Sequence, residues 1–148
     1  LEAEITEVQI HDQRGEKLSA LISGQDCVFT VQVRFHLPME NPTVGILIRD
    51  RLGYDIFGTN TAHMASGTGD CESGELKSFA FQCRANLGPG DYTLTAAIHS
   101  STTHVEDCYH WKDRVLTFKV VPREDLFFQG VSYLHPTLQV ESLGKLEA

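Results

Sequence analysis

The stretch Val28-Phe-Thr-Val-Gln-Val-Arg-Phe-His-Leu37 alternates without a break. Phe29, Val31, Val33, Phe35 and Leu37 fall on one side of an extended chain, and Gln32, Arg34 and His36 fall on the other. Successive side chains of a strand point to opposite faces. Period two in β-branched and aromatic residues therefore predicts a strand with one buried face. The same period recurs four times. Val44 to Arg51 turns Val44, Ile46 and Ile48 inward, and Leu76 to Cys83 does so with Phe79, Phe81 and Cys83. Asp91 to Ser100 groups Tyr92, Leu94, Ala96 and Ile98, and Arg114 to Val121 groups Leu116, Phe118 and Val120. Turn-forming clusters at Gly24-Gln25-Asp26, Pro38 to Pro42, Gly67 to Gly74 and Leu87 to Asp91 separate these runs. No amphipathic helix of ten or more residues is predicted, and Ser101 to Asp113 is expected to form a long irregular loop. Short strands at regular turn spacing predict an all-β protein, an immunoglobulin-like antiparallel β-sandwich.

Gly88-Pro-Gly-Asp-Tyr92-Thr-Leu94 refines the architecture. A glycine-rich turn followed by a tyrosine at the start of a strand predicts a tyrosine corner, with the phenol bonding back to the turn. The Cys…Trp…Cys set of antibody domains is missing, so only the broader architecture is implied. The 148 residues suffice for one domain and its core without covalent staples. One domain over residues 1–140 is expected, with 141–148 as a tail. Within it, Leu126, Phe127, Phe128, Val131, Tyr133, Leu134, Leu138 and Val140 form a late apolar segment that needs a partner surface. It either completes its own sandwich or pairs, as an exchanged strand over 126–140, with a second copy.

The formal net charge of −8 opposes phosphate backbones and anionic lipid, so nucleic acid is not an expected partner. No apolar run approaches the ~20 residues of a membrane helix, and the acidic, alternating start Leu1 to Ile10 does not read as a signal peptide. The four cysteines are sparse for a secreted scaffold. Cys27 and Cys83 alternate in phase with apolar neighbours and are predicted to be reduced core thiols, which favours the cytoplasm. Phosphate-binding loops, nucleophile elbows and the His-Glu-x-x-His zinc motif are all missing, so neither an enzyme nor a cofactor is expected. His104, Cys108 and His110 cluster, but at a spacing that matches no structural zinc pattern. Asp50 and Asp55 are the nearest candidates for a glycosidase-like carboxylate pair and read instead as loop or edge acids.

The candidate site is the outward face of the three strands that would correspond to C, F and G of such a fold. Leu47, Arg49 and Arg51 would meet Thr93, Thr95, Ala97 and His99, and then Val115, Thr117 and Lys119. Hydroxyls, guanidinium donors and an imidazole among small apolar groups suit a sugar, which shows hydroxyls at its edge and C–H groups on its faces. Arg49, Arg51, Thr95, His99 and Thr117 are the predicted hydrogen-bonding residues, and Tyr54 and Trp111 the predicted stacking platforms. A groove lined by Arg, His, Thr and Trp would favour sugar. A flat face exposing Leu47, Ala97 and Val115 would favour a structural or dimerisation sandwich that meets another protein.

Val44-Gly-Ile-Leu-Ile-Arg-Asp-Arg-Leu-Gly-Tyr-Asp-Ile-Phe-Gly-Thr-Asn-Thr61 resembles the C-terminal carbohydrate-binding domain of Wzt-type ATPase subunits of O-antigen polysaccharide ABC exporters. Leu87 to Leu94 and Tyr109-His-Trp-Lys-Asp113, leading to Phe118-Lys-Val120, agree with it, and the match covers most of residues 3–140. The resemblance implies a non-catalytic module that recognises undecaprenyl-linked O-antigen glycan and couples its binding to export. It implies work in the cytoplasm at the inner membrane, alongside a nucleotide-binding domain outside this chain and a membrane subunit. It also implies a homodimer. No site residue carries over from the motif; Phe57-Gly-Thr-Asn-Thr61 reads as structural, with Gly58 permitting a tight bend and Asn60 and Thr61 bonding the backbone.

Overall fold

The computed structural model describes residues 2–64, 67–99 and 114–145. Among these residues eight strands run in the order β1 (Ala3–His11), β2 (Ala20–Ile22), β3 (Asp26–Phe35), β4 (Thr43–Asp50), β5 (Asp55–Asn60), β6 (Leu76–Arg84), β7 (Gly90–His99) and β8 (Arg114–Val121). They build two sheets, β1-β3-β6 and β2-β8-β7-β4-β5. Every pairing is antiparallel except the short parallel contact of β2 with β8. The predicted sandwich and its five main strands are borne out.

The alternating residues make the core between the layers. Phe29, Val31, Val33 and Phe35 from one sheet face Ile46, Ile48, Leu94, Ala96, Ile98, Phe118 and Val120 from the other, all buried. Phe29 reaches Phe118 across the layers at 6.1 Å between ring centroids, and Phe118 stacks on its register partner Tyr92 at 5.6 Å. Each such side chain contributes about 1.5–3 kcal/mol through burial. Period two overshoots at one end: β3 stops at Phe35, and Leu37, expected on the inward face, is 51 % exposed. Pro38 follows closely and cannot donate to a ladder, so the strand ends before the pattern does.

The tyrosine corner is present. Tyr92 Oη donates to the Gly88 carbonyl at 2.7 Å, within a buried site. The late segment docks against the same turn. Gly88 N donates to Val131 O at 3.2 Å, and Tyr133 N to Asn86 O at 3.1 Å. A side chain at position 88 would overlap the Gly130 carbonyl oxygen, so glycine is what lets the two backbones meet. Beyond this contact Leu134, Leu138, Val140 and Leu143 are exposed, and no strand is formed between residues 134 and 145.

Cys27 is buried opposite Cys83 in the β3–β6 register, and Cys27, Cys71 and Cys83 are free thiols. Burial, then the neighbouring Cys83 and Asp26, push the Cys27 thiol up to about 12. Burial also raises Cys83, which is only partly enclosed at the edge strand.

Candidate functional site

The outer face of the five-stranded sheet is organised in rows set by strand register. One row runs Asp55–Arg49–Thr93–Thr117 across β5, β4, β7 and β8. The next outward row places Gly58, Leu47 and Thr95 side by side, and the one after that Asn60, Gly45 and Ala97. His99 lies beyond it, in register with Thr43. The strands expected to be neighbours are therefore neighbours, and Leu47, Arg49, Thr93, Thr95, Ala97, His99 and Thr117 fall at alternate register positions on one face.

The surface is concave. A depression of about 450 Å³ is lined by Gly45, Leu47, Arg49, Gly58, Asn60, His63, Thr95, Ala97 and His99, among others. Small residues make it. A Cβ on Gly45 would lie 3.1 Å from Asn60 Cβ and from Thr59 O, and one on Gly58 would lie 3.1 Å from Leu47 Cδ1. With Ala97 beside them, the strands approach closely and leave a floor without bulk. Thr95 and Ala97, though they point away from the core, are under a tenth exposed because their neighbours close around them.

Polar groups ring this floor. Arg49 Nε donates to Asp55 Oδ1 at 2.9 Å, so the guanidinium is held in place while its terminal nitrogens have no partner among the described residues. A pinned fork of donors suits directed hydrogen bonding to hydroxyls. Burial lowers the His99 pKa from 6.5, which keeps the imidazole neutral at pH 7, with one donor and one acceptor nitrogen. Asn60 Oδ1 accepts from His63 N at 2.7 Å and so fixes the turn that carries His63 to the rim.

The predicted residues divide. Arg49, Thr95 and His99 meet in this depression. Arg51 and Thr117 lie in a second one of about 540 Å³ on the same face, with Ser19, Asp91, Thr93 and Lys119. Tyr54 sits apart, 68 % exposed beside the β4–β5 turn. Trp111 lies outside the described residues, as do Tyr109 and the clustered His104, Cys108 and His110. Among the described residues no three His, Cys, Asp or Glu gather as metal ligands. Asp50 Oδ1 accepts from Leu52 N and Tyr54 N at 2.9 and 3.0 Å, a turn cap, and Asp55 is engaged by Arg49.

Sequence reasoning missed Gly45, Gly58, Asn60 and His63. The expectation of a tight bend at Gly58 is corrected. Gly58 lies within extended β5, and the bend is made by Gly53 at φ +87°. Asn60 does bond the backbone, and Thr61 Oγ1 accepts from Val44 N at 3.2 Å. The available signal was period two through Phe57-Gly-Thr-Asn60, which puts Gly58 and Asn60 on one face. The motif's glycine thus does two things: it lets β5 approach β4 and it empties the floor of the depression.

No curated protein sequence matches the chain. Among solved structures, a crystal structure of the C-terminal domain of Wzt superposes with a TM-score of 0.74 at 21 % identity, over 95 % of this chain and 84 % of that one. A Niemann-Pick type C2 protein from the Japanese carpenter ant follows with a TM-score of 0.53 at 8 % identity, over 83 % and 94 % of the two chains. At these identities the likeness establishes the sandwich fold and nothing finer. No helix among the described residues is long and apolar enough to cross a membrane. The Wzt C-terminal domain family matches residues 1–134, nearly the whole sequence and all three motif segments, and the chain belongs to that family.

Proposed function

We propose that this domain binds O-antigen polysaccharide without chemistry and, within an ABC exporter, couples that recognition to export. The glycan would be undecaprenyl-linked and met at the cytoplasmic side of the inner membrane, where the nucleotide-binding and membrane subunits act. The observation that carries the reading is the depression floored by Gly45, Gly58 and Ala97 and ringed by Arg49, Asn60, Thr95 and His99. Its floor accepts the apolar face of a sugar ring, and its rim supplies fixed donors and acceptors to the ring edge. The test is retention of purified bacterial O-polysaccharides of several serotypes by the immobilised chain. Substituting Arg49 and His99 together by alanine should abolish retention with the circular dichroism spectrum intact. Equal retention by the double variant removes this face from consideration.

A homodimer accompanies the reading. Leu134, Pro136, Leu138 and Val140 alternate along an exposed, unpaired stretch, while β6 is a sheet edge with Phe79 and Cys83 only partly covered. A strand donated by one copy to the β6 edge of the other would cover both surfaces and pair the edge amides. Paired sites on one polymer would add avidity to weak single contacts. Light scattering should give a dimer for the full chain and a monomer after truncation at His135. Instead, a monomeric full chain would leave the alternative of a sandwich that docks another protein through this segment.

A further inference from the structure

The second depression on the outer face has chemistry of its own. Thr93 pairs with Thr117 and Asp91 with Lys119, so two adjacent outward rows of β7 and β8 make its floor and one wall. β4 ends at Asp50, leaving the space beside Asp91 to Arg51 alone, and Ser19 closes the β2 side. The Thr93 and Thr117 hydroxyls have no partner among the described residues. Lys119 Nζ and Asp91 Oδ1 stand 4.0 Å apart with both side chains about two-thirds exposed. An ion pair that open contributes little to stability, so exchanging it for ligand contacts costs the fold little.

We infer that this depression is a second sugar subsite, and that the domain grips two separated sugars of one glycan chain lying along β7. The inference rests on the glycan-binding reading above. Donor and acceptor 4.0 Å apart can engage two adjacent ring hydroxyls, Lys119 donating to one and Asp91 accepting from the other. The threonine methyl groups offer apolar contact to ring C–H groups between them. Ala97, on the floor of the first depression, and Asp91, in the second, are six residues apart on one strand, roughly 20 Å at the rise of a β-strand. The row Arg49–Thr93–Thr117 forms the saddle between them, and pinning Arg49 to Asp55 keeps its side chain from closing the path.

The test uses the O-polysaccharide that the wild-type chain retains, fragmented into saccharides of graded length, with affinity measured by calorimetry. Wild type should bind longer fragments more tightly. The Asp91→Ala/Lys119→Ala double variant, and independently Ser19→Trp, should flatten that increase, weakening the longest fragments about 10-fold. Both variants should still bind the shortest fragments, whereas the Arg49→Ala/His99→Ala variant should weaken all lengths. If the Asp91→Ala/Lys119→Ala and Ser19→Trp variants both keep the wild-type increase, the subsite is refuted and the glycan-binding reading stands. If the wild-type chain retains no polysaccharide, the reading fails and the subsite with it.

Discussion

Substituting Tyr92 by phenylalanine isolates one hydrogen bond in the core of the fold. The ring stays. It keeps its stacking on Phe118 at 5.6 Å, and no cavity larger than a hydroxyl opens. What is lost is the 2.7 Å bond to Gly88 O, in a place where Tyr92 is only 4 % exposed and water cannot replace it. Leaving a buried carbonyl unpaired costs about 1–3 kcal/mol. About 2 kcal/mol corresponds to a fall in melting temperature of about 6 °C for a domain of this length. The pH dependence gives a second handle. Burial, and then the nearby Asp50, raise the Tyr92 pKa above 10.0. The unfolded chain therefore loses this proton first, so the associated stability is fully present below pH 10 and is lost as the pH rises through the folded value. The phenylalanine variant lacks that loss, so its deficit should narrow above pH 10. Differential scanning calorimetry of both proteins from pH 7 to 11 measures both effects. A fall of less than about 2 °C at pH 7, or a deficit that widens in alkali, would refute the reasoning.

Gly88→Ala should release the late segment, because its Cβ would overlap the Gly130 carbonyl oxygen, a backbone atom that no side-chain movement relieves. Losing the two backbone hydrogen bonds at Val131 and Tyr133 predicts about 2 kcal/mol and proteolytic cutting between residues 126 and 135, while an unchanged digestion pattern would contradict the docking. Cys27, with its thiol pushed up to about 12, should resist a disulfide reagent at pH 8 until the protein unfolds, since its thiolate fraction is on the order of 10⁻⁴; rapid labelling in the native state, located by mass spectrometry, would show the strand edge to be open. Burial lowers the His99 pKa, so its contribution to stability is present above pH 6.5 and is lost as the pH falls below it. Thermal unfolding between pH 5 and 7 should show a shallower acid decline in a His99→Asn variant, and equal slopes in the two proteins would count against the burial argument.

The sandwich was legible because its information is local. Each of the five long runs carries period two in its own residues, and the tyrosine corner is written within the five positions from Gly88 to Tyr92. Even the neighbours β4, β7 and β8 could be placed, since a known architecture supplies strand order once the strands are counted. Leu37 shows where the pattern misleads: alternation continues past the last ladder bond, and only Pro38 marks the stop. The site was half legible. Outward positions follow from period two, so Arg49, Thr95 and His99 could be gathered in advance.

Curvature is another matter. Whether an outward face is flat or hollow depends on which residues stand beside each other on different strands, and that depends on register. Nothing local to Gly45 says that Asn60 will lie across from it, nor that Gly58 will face Leu47. The sequence alone determined the five long strands β3, β4, β6, β7 and β8, their buried faces and the kind of side chain each presents outward, because alternation is a property of one segment at a time, whereas β1, β2 and β5 were not read from it. Tertiary structure alone decided that three small residues from three strands share a floor, and that Arg51 and Thr117 belong to a separate hollow. Side chains that are distant in the chain become a surface only when hydrogen-bond register fixes which rows they share.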